Sequence, residues 1–157
     1  MKIFKFIAYI IILLIGVILG GYLFSRSLPR SFIALHRCEE TCFKSNELAG
    51  ILSSVGIQTI GGKLPLVMYE TDKTLVFDIQ YPYPPDKIHY LVVPKRDVKD
   101  AGELTEEDKE YLSDNYGVMG KIVREGNYKK YRIVTNGPGY QEVNYLHFHL
   151  VIDRDQK

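Results

Sequence analysis

Residues 1–26, MKIFKFIAYIIILLIGVILGGYLFSR, carry no charge between Lys5 and Arg26. That gap of about 20 residues is the length a helix needs to cross a bilayer core of roughly 30 Å. Tyr9 and Tyr22 stand near its ends, where amphipathic rings prefer the interface. A cleaved signal peptide is the competing reading. Its apolar core is normally about 7–15 residues long and runs into a small-x-small cleavage site. Here the run is longer and GYLFSRSLPRS offers no convincing site, so residues 1–25 are expected to be a retained transmembrane anchor. The Lys/Arg count on the two flanks weakly favours a cytoplasmic C-terminal domain.

Residues 26–62 read as a juxtamembrane connector. Ser45 is placed to cap a short helix, NELAGILSSVG, which Gly56 would end. The Gly-Gly pair of IQTIGGKLP reads as loop. The folded domain is expected over 63–157. PLVMYETDKTLVFDIQ holds two apolar runs around a polar turn, a hairpin pattern. YPYPPD breaks the chain with prolines, and KIHYLVVPK is a β-branched, aromatic strand. LTEEDKEYLSDNYGVMGKIVREGN has helical periodicity through Leu112, Tyr116, Met119, Ile122 and Val123. Thr105 and Asp108 form a capping-box pair at its start, and Gly126 is placed to end it. KYRIVTN and EVNYLHFHLVIDR are two further strands. Hairpin, strand, long helix, strand, strand is the order of an α+β domain with its helix on one sheet face.

Period-2 alternation sorts the last strand into two faces. Leu146, Phe148, Leu150 and Ile152 share an apolar face. Val143, Tyr145, His147, His149 and Val151 share the other, which places two imidazoles and a phenol side by side. In KIHYLVVPK, His89 shares a face with Leu91 and Val93.

Composition narrows the function classes without choosing one. Lys+Arg is 20 and Asp+Glu is 19, a net charge of +1, so nothing points to nucleic acid as a partner. Two cysteines, Cys38 and Cys42, are too few for a disulfide scaffold. Beside His36 they leave a zinc site, a disulfide or reduced thiols open, with reduced thiols expected. The basic residues Lys95, Arg96 and Lys99 read as a solvated face. Three readings of the histidine strand remain at this point. It is a solvated face, a metal site completed by His89, Asp78 or Glu142, or a nucleophilic site in which one imidazole attacks and its neighbours orient it.

Taken together, LPLVMYETDKTLVFDIQ, KIHYLVVPKRDV and YRIVTNGPGYQEVNYLHFHLV resemble the histidine triad (HIT) family, closest to its Hint-like branch. The family signature is His-φ-His-φ-His-φ-φ on the last strand, φ being apolar. An Asn and a Gly/Gln turn precede it, and a His-φ-Leu-φ-φ-Pro-Lys strand lies upstream. The resemblance runs from about Lys63 to Arg154. It implies an antiparallel sheet of about five strands with one long helix, often paired into a dimer. It implies a nucleotide or nucleotide-conjugate substrate attacked at the α-phosphate through a nucleotidyl-histidine intermediate. It implies neither a cofactor nor a metal at the attacking residue.

Carried over by position, His147 is the nucleophile, and His149 meets phosphate oxygens or the leaving group. His89 lies near the phosphate, and Asn136 near ribose and phosphate. Asp78 and Ile79 match the acidic-apolar pair near the ribose, and Gln141 matches the Gln of the turn. The sequence departs from the pattern at three positions. Tyr145 stands at the first triad histidine, Glu142 at a Ser or Thr, and Asp97 at a histidine after the Pro-Lys pair. The expected function is therefore a membrane-anchored HIT-like nucleotidyl hydrolase or transferase. A non-catalytic nucleotide-binding or sensing module and a nucleotide-lipid diphosphate hydrolase are the alternatives.

Overall fold

The structure is a computed structural model that describes residues 2–33 and 42–155. Helix α1, Lys2–Phe24, is the apolar N-terminal run. Over Phe4–Phe24 it is long and apolar enough to cross a membrane, and that span is not buried against the rest of the chain. A signal sequence has the same properties. Helix α2, Ser45–Thr59, follows. Strands β1, Val67–Glu70, and β2, Thr74–Asp78, form the expected hairpin. Its turn is tied by the Thr71 hydroxyl, which accepts from the backbone N–H groups of Lys73 and Thr74. Strand β3 is Lys87–Pro94, helix α3 is Lys109–Glu125, and strands β4, Tyr131–Val134, and β5, Phe148–Asp153, complete the domain. The sheet order is β1-β2-β3-β5-β4, and every pairing is antiparallel.

Two apolar clusters lie on the two faces of this sheet. Val76, Val92, Phe148, Leu150 and Ile152 pack against Val118 and Met119 of α3. Leu75, Val93 and Tyr145 pack under Ile57 of α2. The second face is the one that carries the histidines. The expected single helix on one face is thus joined by α2 on the other.

The start of α3 follows the sequence pattern. The Asp108 carboxylate accepts from the Thr105 backbone N–H and hydroxyl, both at 2.8 Å. Its end falls at Gly126 as expected, but Gly126 keeps right-handed helical geometry and Asn127 takes the left-handed conformation, at φ 50°. The Tyr128 N–H bonds to the Val123 carbonyl and the Asn127 N–H to the Arg124 carbonyl, a Schellman closure. Helix α2 also differs from expectation. Ser45 lies inside it without capping it, and Gly56 does not end it.

The largest departure is in the last strand, which begins at Phe148 rather than Val143. The backbone donors ahead of it are taken elsewhere. The Leu146 N–H reaches the Val98 carbonyl at 2.7 Å, and the Asn144 N–H reaches the Asn46 carbonyl at 3.0 Å. Residues 143–147 are therefore drawn off the ladder toward the β3–α3 loop and α2.

Within the connector Ile33 forms an antiparallel bridge with Phe43, and beside that bridge Cys42 is disulfide-bonded, where reduced thiols were expected. His36 and Cys38 lie outside the described residues.

Candidate active site

His89 sits within β3 and is 2% exposed. Antiparallel pairing sets Leu91 of β3 opposite His149 of β5, so His89 and His149 come together on one face. Their rings stack with centroids 5.1 Å apart, and the His147 ring meets His149 edge-on at 4.9 Å. Tyr83, from the proline-rich loop, packs edge-on against His89 at 4.7 Å.

The hydrogen bonds fix which nitrogen of each ring carries the proton. A carbonyl oxygen only accepts. His89 Nδ1 lies 3.0 Å from the Tyr81 carbonyl, so Nδ1–H donates and Nε2 is an acceptor. That Nε2 lies 2.9 Å from His149 Nδ1, so His149 donates through Nδ1–H. His147 Nδ1 lies 2.6 Å from the Tyr145 carbonyl and donates to it. In their neutral forms His147 and His149 therefore both keep a bare Nε2. Burial disfavours the charged form of all three rings and holds them below the ordinary histidine value. For His147 the bond to Tyr145 partly opposes this. For His89 the bond to Tyr81 does the same. His149 is pushed down to about 4, by burial first and then by its two histidine neighbours.

These rings border a cavity of about 690 Å³, within the usual range for small-molecule sites. Leu52, Gly56 and Ile57 of α2 form one wall. Phe77, Ile79, Leu91 and Val93 form the sheet side. His89, His147, His149 and Asn136 border the same space, with Glu142 and Tyr140. Among the described residues no group of three or more His, Cys, Asp or Glu side chains is arranged to hold a metal ion.

Three of the eight residues expected at the site are placed differently. Tyr145 borders the cavity, but its hydroxyl does not face His147. It donates to the Pro94 carbonyl at 2.7 Å and the Arg96 carbonyl at 3.1 Å. The ring stays on the histidine face, where alternation placed it, and packs there with Leu75, Val93 and Ile57. Gln141 is buried away from this cavity, against a smaller one bordered by Asn46, Lys99 and Asn144. Asp78 is exposed at the end of β2 and does not border the cavity, although Ile79 beside it does. The α2 wall and the Tyr81 carbonyl were not foreseen. Nor was Thr135, whose hydroxyl donates to the His147 carbonyl at 2.9 Å. The helix α2 itself was expected, but only as part of the connector, and its burial through Gly50, Ser54 and Ile57 was not.

Comparison with known proteins agrees with this fold. The family model described as "Scavenger mRNA decapping enzyme C-term binding" matches residues 60–157. An uncharacterized HIT-like protein of Buchnera aphidicola is 29% identical over 104 residues, covering 63% of this chain and 90% of that protein. The protein belongs to the histidine triad family. Among solved HIT structures, a HIT family hydrolase from Clostridium thermocellum is 27% identical with a TM-score of 0.54, covering 65% of this chain and 90% of that one. A histidine triad nucleotide-binding protein from Candida albicans is 28% identical with a TM-score of 0.50, covering 64% and 73%. The antiparallel five-stranded HIT fold is thus shared, with α1 and its connector in front of it.

Proposed function

We propose that this HIT protein hydrolyses or transfers a nucleotidyl group, with His147 Nε2 attacking the α-phosphorus of a nucleotide conjugate. The observation that carries the reading is the His147 Nδ1–H···O=C Tyr145 bond. It leaves an unprotonated nitrogen on a ring that borders a ligand-sized cavity. In the first step the Nε2–P bond forms and the bond from phosphorus to the leaving group breaks. The leaving group takes the bonding electron pair. In the second step water attacks phosphorus, its proton passes to His149 Nε2, and His147 departs with its electron pair. The His89–His149 bond fixes the ring that receives that proton. A substrate anion raises the pKa of His149 by opposite charge, so the same ring carries a proton to an amine or alcohol leaving group. Asn136 meets the phosphate or ribose, and the apolar wall holds the base.

Helix α1 anchors the domain to a membrane in this reading. The disulfide at Cys42 favours an oxidising compartment for the domain, opposite to the side suggested by the Lys/Arg count. Glu142 favours a second reading, nucleotide binding without turnover, because a carboxylate beside a phosphate repels it. The test is turnover of nucleoside phosphoramidates by the full chain and by His147→Ala, with and without a chelator. Activity that disappears in His147→Ala and survives the chelator supports the proposal. Binding without turnover supports the second reading.

A further inference from the structure

The segment directly after α1 reaches into the histidine loop. The Arg30 and Asp97 side chains are 0% and 1% exposed. Arg30 Nη1 donates to Asp97 Oδ2 at 2.6 Å, and Nη2 donates to Oδ1 at 2.5 Å. Nη1 also reaches the Leu28 carbonyl at 3.2 Å. Nη2 and Nε both donate to the Asn144 carbonyl, at 3.0 and 3.2 Å. All five guanidinium N–H donors are thereby used. Asp97 is held in turn by the Leu28 N–H at 2.7 Å.

The Asn144 carbonyl belongs to the peptide that leads into Tyr145. The next carbonyl along is the one that accepts from His147 Nδ1. Packing closes the same point from the α2 side. A Cβ on Gly50 would lie 2.4 Å from the Asn144 carbonyl oxygen and 2.8 Å from Arg30 Nε.

We propose that Arg30 is a positioning residue for His147, acting through the Asn144 carbonyl, with Asp97 holding the guanidinium in place. This rests on the reading of His147 as the nucleophile. Asp97 then has a role of its own rather than being a lost histidine. Leu28 and Arg30, just after α1, become part of the active-site scaffold. A lysine could keep the charge pair but not the planar fork that spans two acceptors.

The test uses the full chain in detergent micelles, labelled with ¹⁵N-histidine, with His147 assigned by comparison with His147→Ala. The double variant Arg30→Met/Asp97→Asn removes both charges together, so neither is left buried and unpaired. The expected result is a folded protein whose His147 ¹⁵N signals move from the Nδ1–H form toward a mixture of tautomers. Phosphoramidate turnover should show kcat lowered about 10–100-fold, the scale of a small misplacement of a reacting group, with KM changed much less. Arg30→Lys should show the same tautomer change with a smaller loss of kcat, and it decides the matter if the double variant does not fold. A folded variant that keeps the wild-type tautomer and wild-type kcat overturns the proposal. If the wild type shows no turnover at all, the activity reading fails separately, and the ¹⁵N signals still decide the role of Arg30.

Discussion

Replacing Tyr145 with phenylalanine separates two accounts of this site. If the phenol stood in for a triad histidine, it would polarise His147, and its loss would be a catalytic defect. The structure directs it elsewhere. The ring is 2% exposed, and the hydroxyl donates to the carbonyls of Pro94 and Arg96. Burial pushes the hydroxyl pKa far above its usual value, so it stays a neutral donor. Tyr145→Phe removes that donor and nothing that touches an imidazole. A buried acceptor left unsatisfied costs about 1–3 kcal/mol. For a domain of this size each kcal/mol lowers Tm by about 2–8 °C. The expected outcome is thus a lower Tm by differential scanning calorimetry, with kcat and KM measured well below the transition within about 2-fold of wild type. Tyr145→His is expected to be destabilised without gaining activity, because its ring replaces a core side chain and does not face His147. Tyr145→Phe with unchanged Tm and a 10-fold or larger loss of kcat would refute the reasoning.

Other perturbations test neighbouring parts of the account. Gly50→Ala forces a Cβ against the Asn144 carbonyl oxygen and should lower stability by about 1–3 kcal/mol in a denaturant titration, the usual range for overpacking. Leu150→Ala empties a fully buried position against α3 and should cost about 2–5 kcal/mol in the same titration. Burial lowers the pKa values of His89, His147 and His149 in the folded chain. Below pH 6.5 the unfolded chain therefore binds protons that the folded chain does not. Stability should be full above that pH and fall on acidification, with the His149 contribution lost down to about pH 4. A Tm series between pH 7.5 and 5 should show the fall, and His149→Asn should flatten it. A Tm that rises on acidification in this window contradicts the assignment.

Much of the scaffold was legible because it is written in local pattern. Phe148, Leu150 and Ile152 alternate, and they form the face against α3. Thr105 and Asp108 stand three apart and cap the helix as their chemistry requires. Pairing His89 with His149 needed only strand assignment plus the resemblance. The failures come from partners that lie far away in the sequence. Alternation extended the last strand through Tyr145, whereas Val98 and Asn46 take the N–H groups that would have continued the ladder. Gln141 matched a motif by position, but it is buried against a different cavity. Arg30 looked like an ordinary basic residue flanking an apolar helix. Nothing in its local sequence marks a carboxylate 67 residues away as its partner.

The central claim is that His147 Nε2 is the nucleophile. Its most direct test is to trap the intermediate. The full chain is mixed with excess nucleoside phosphoramidate, quenched at alkaline pH where a phosphorus–nitrogen bond to histidine persists, digested and analysed by mass spectrometry. The account predicts a nucleotidyl adduct on His147, accumulating within the first turnover and absent from His147→Ala. Turnover with no adduct on His147, or with the adduct on His149, would contradict it.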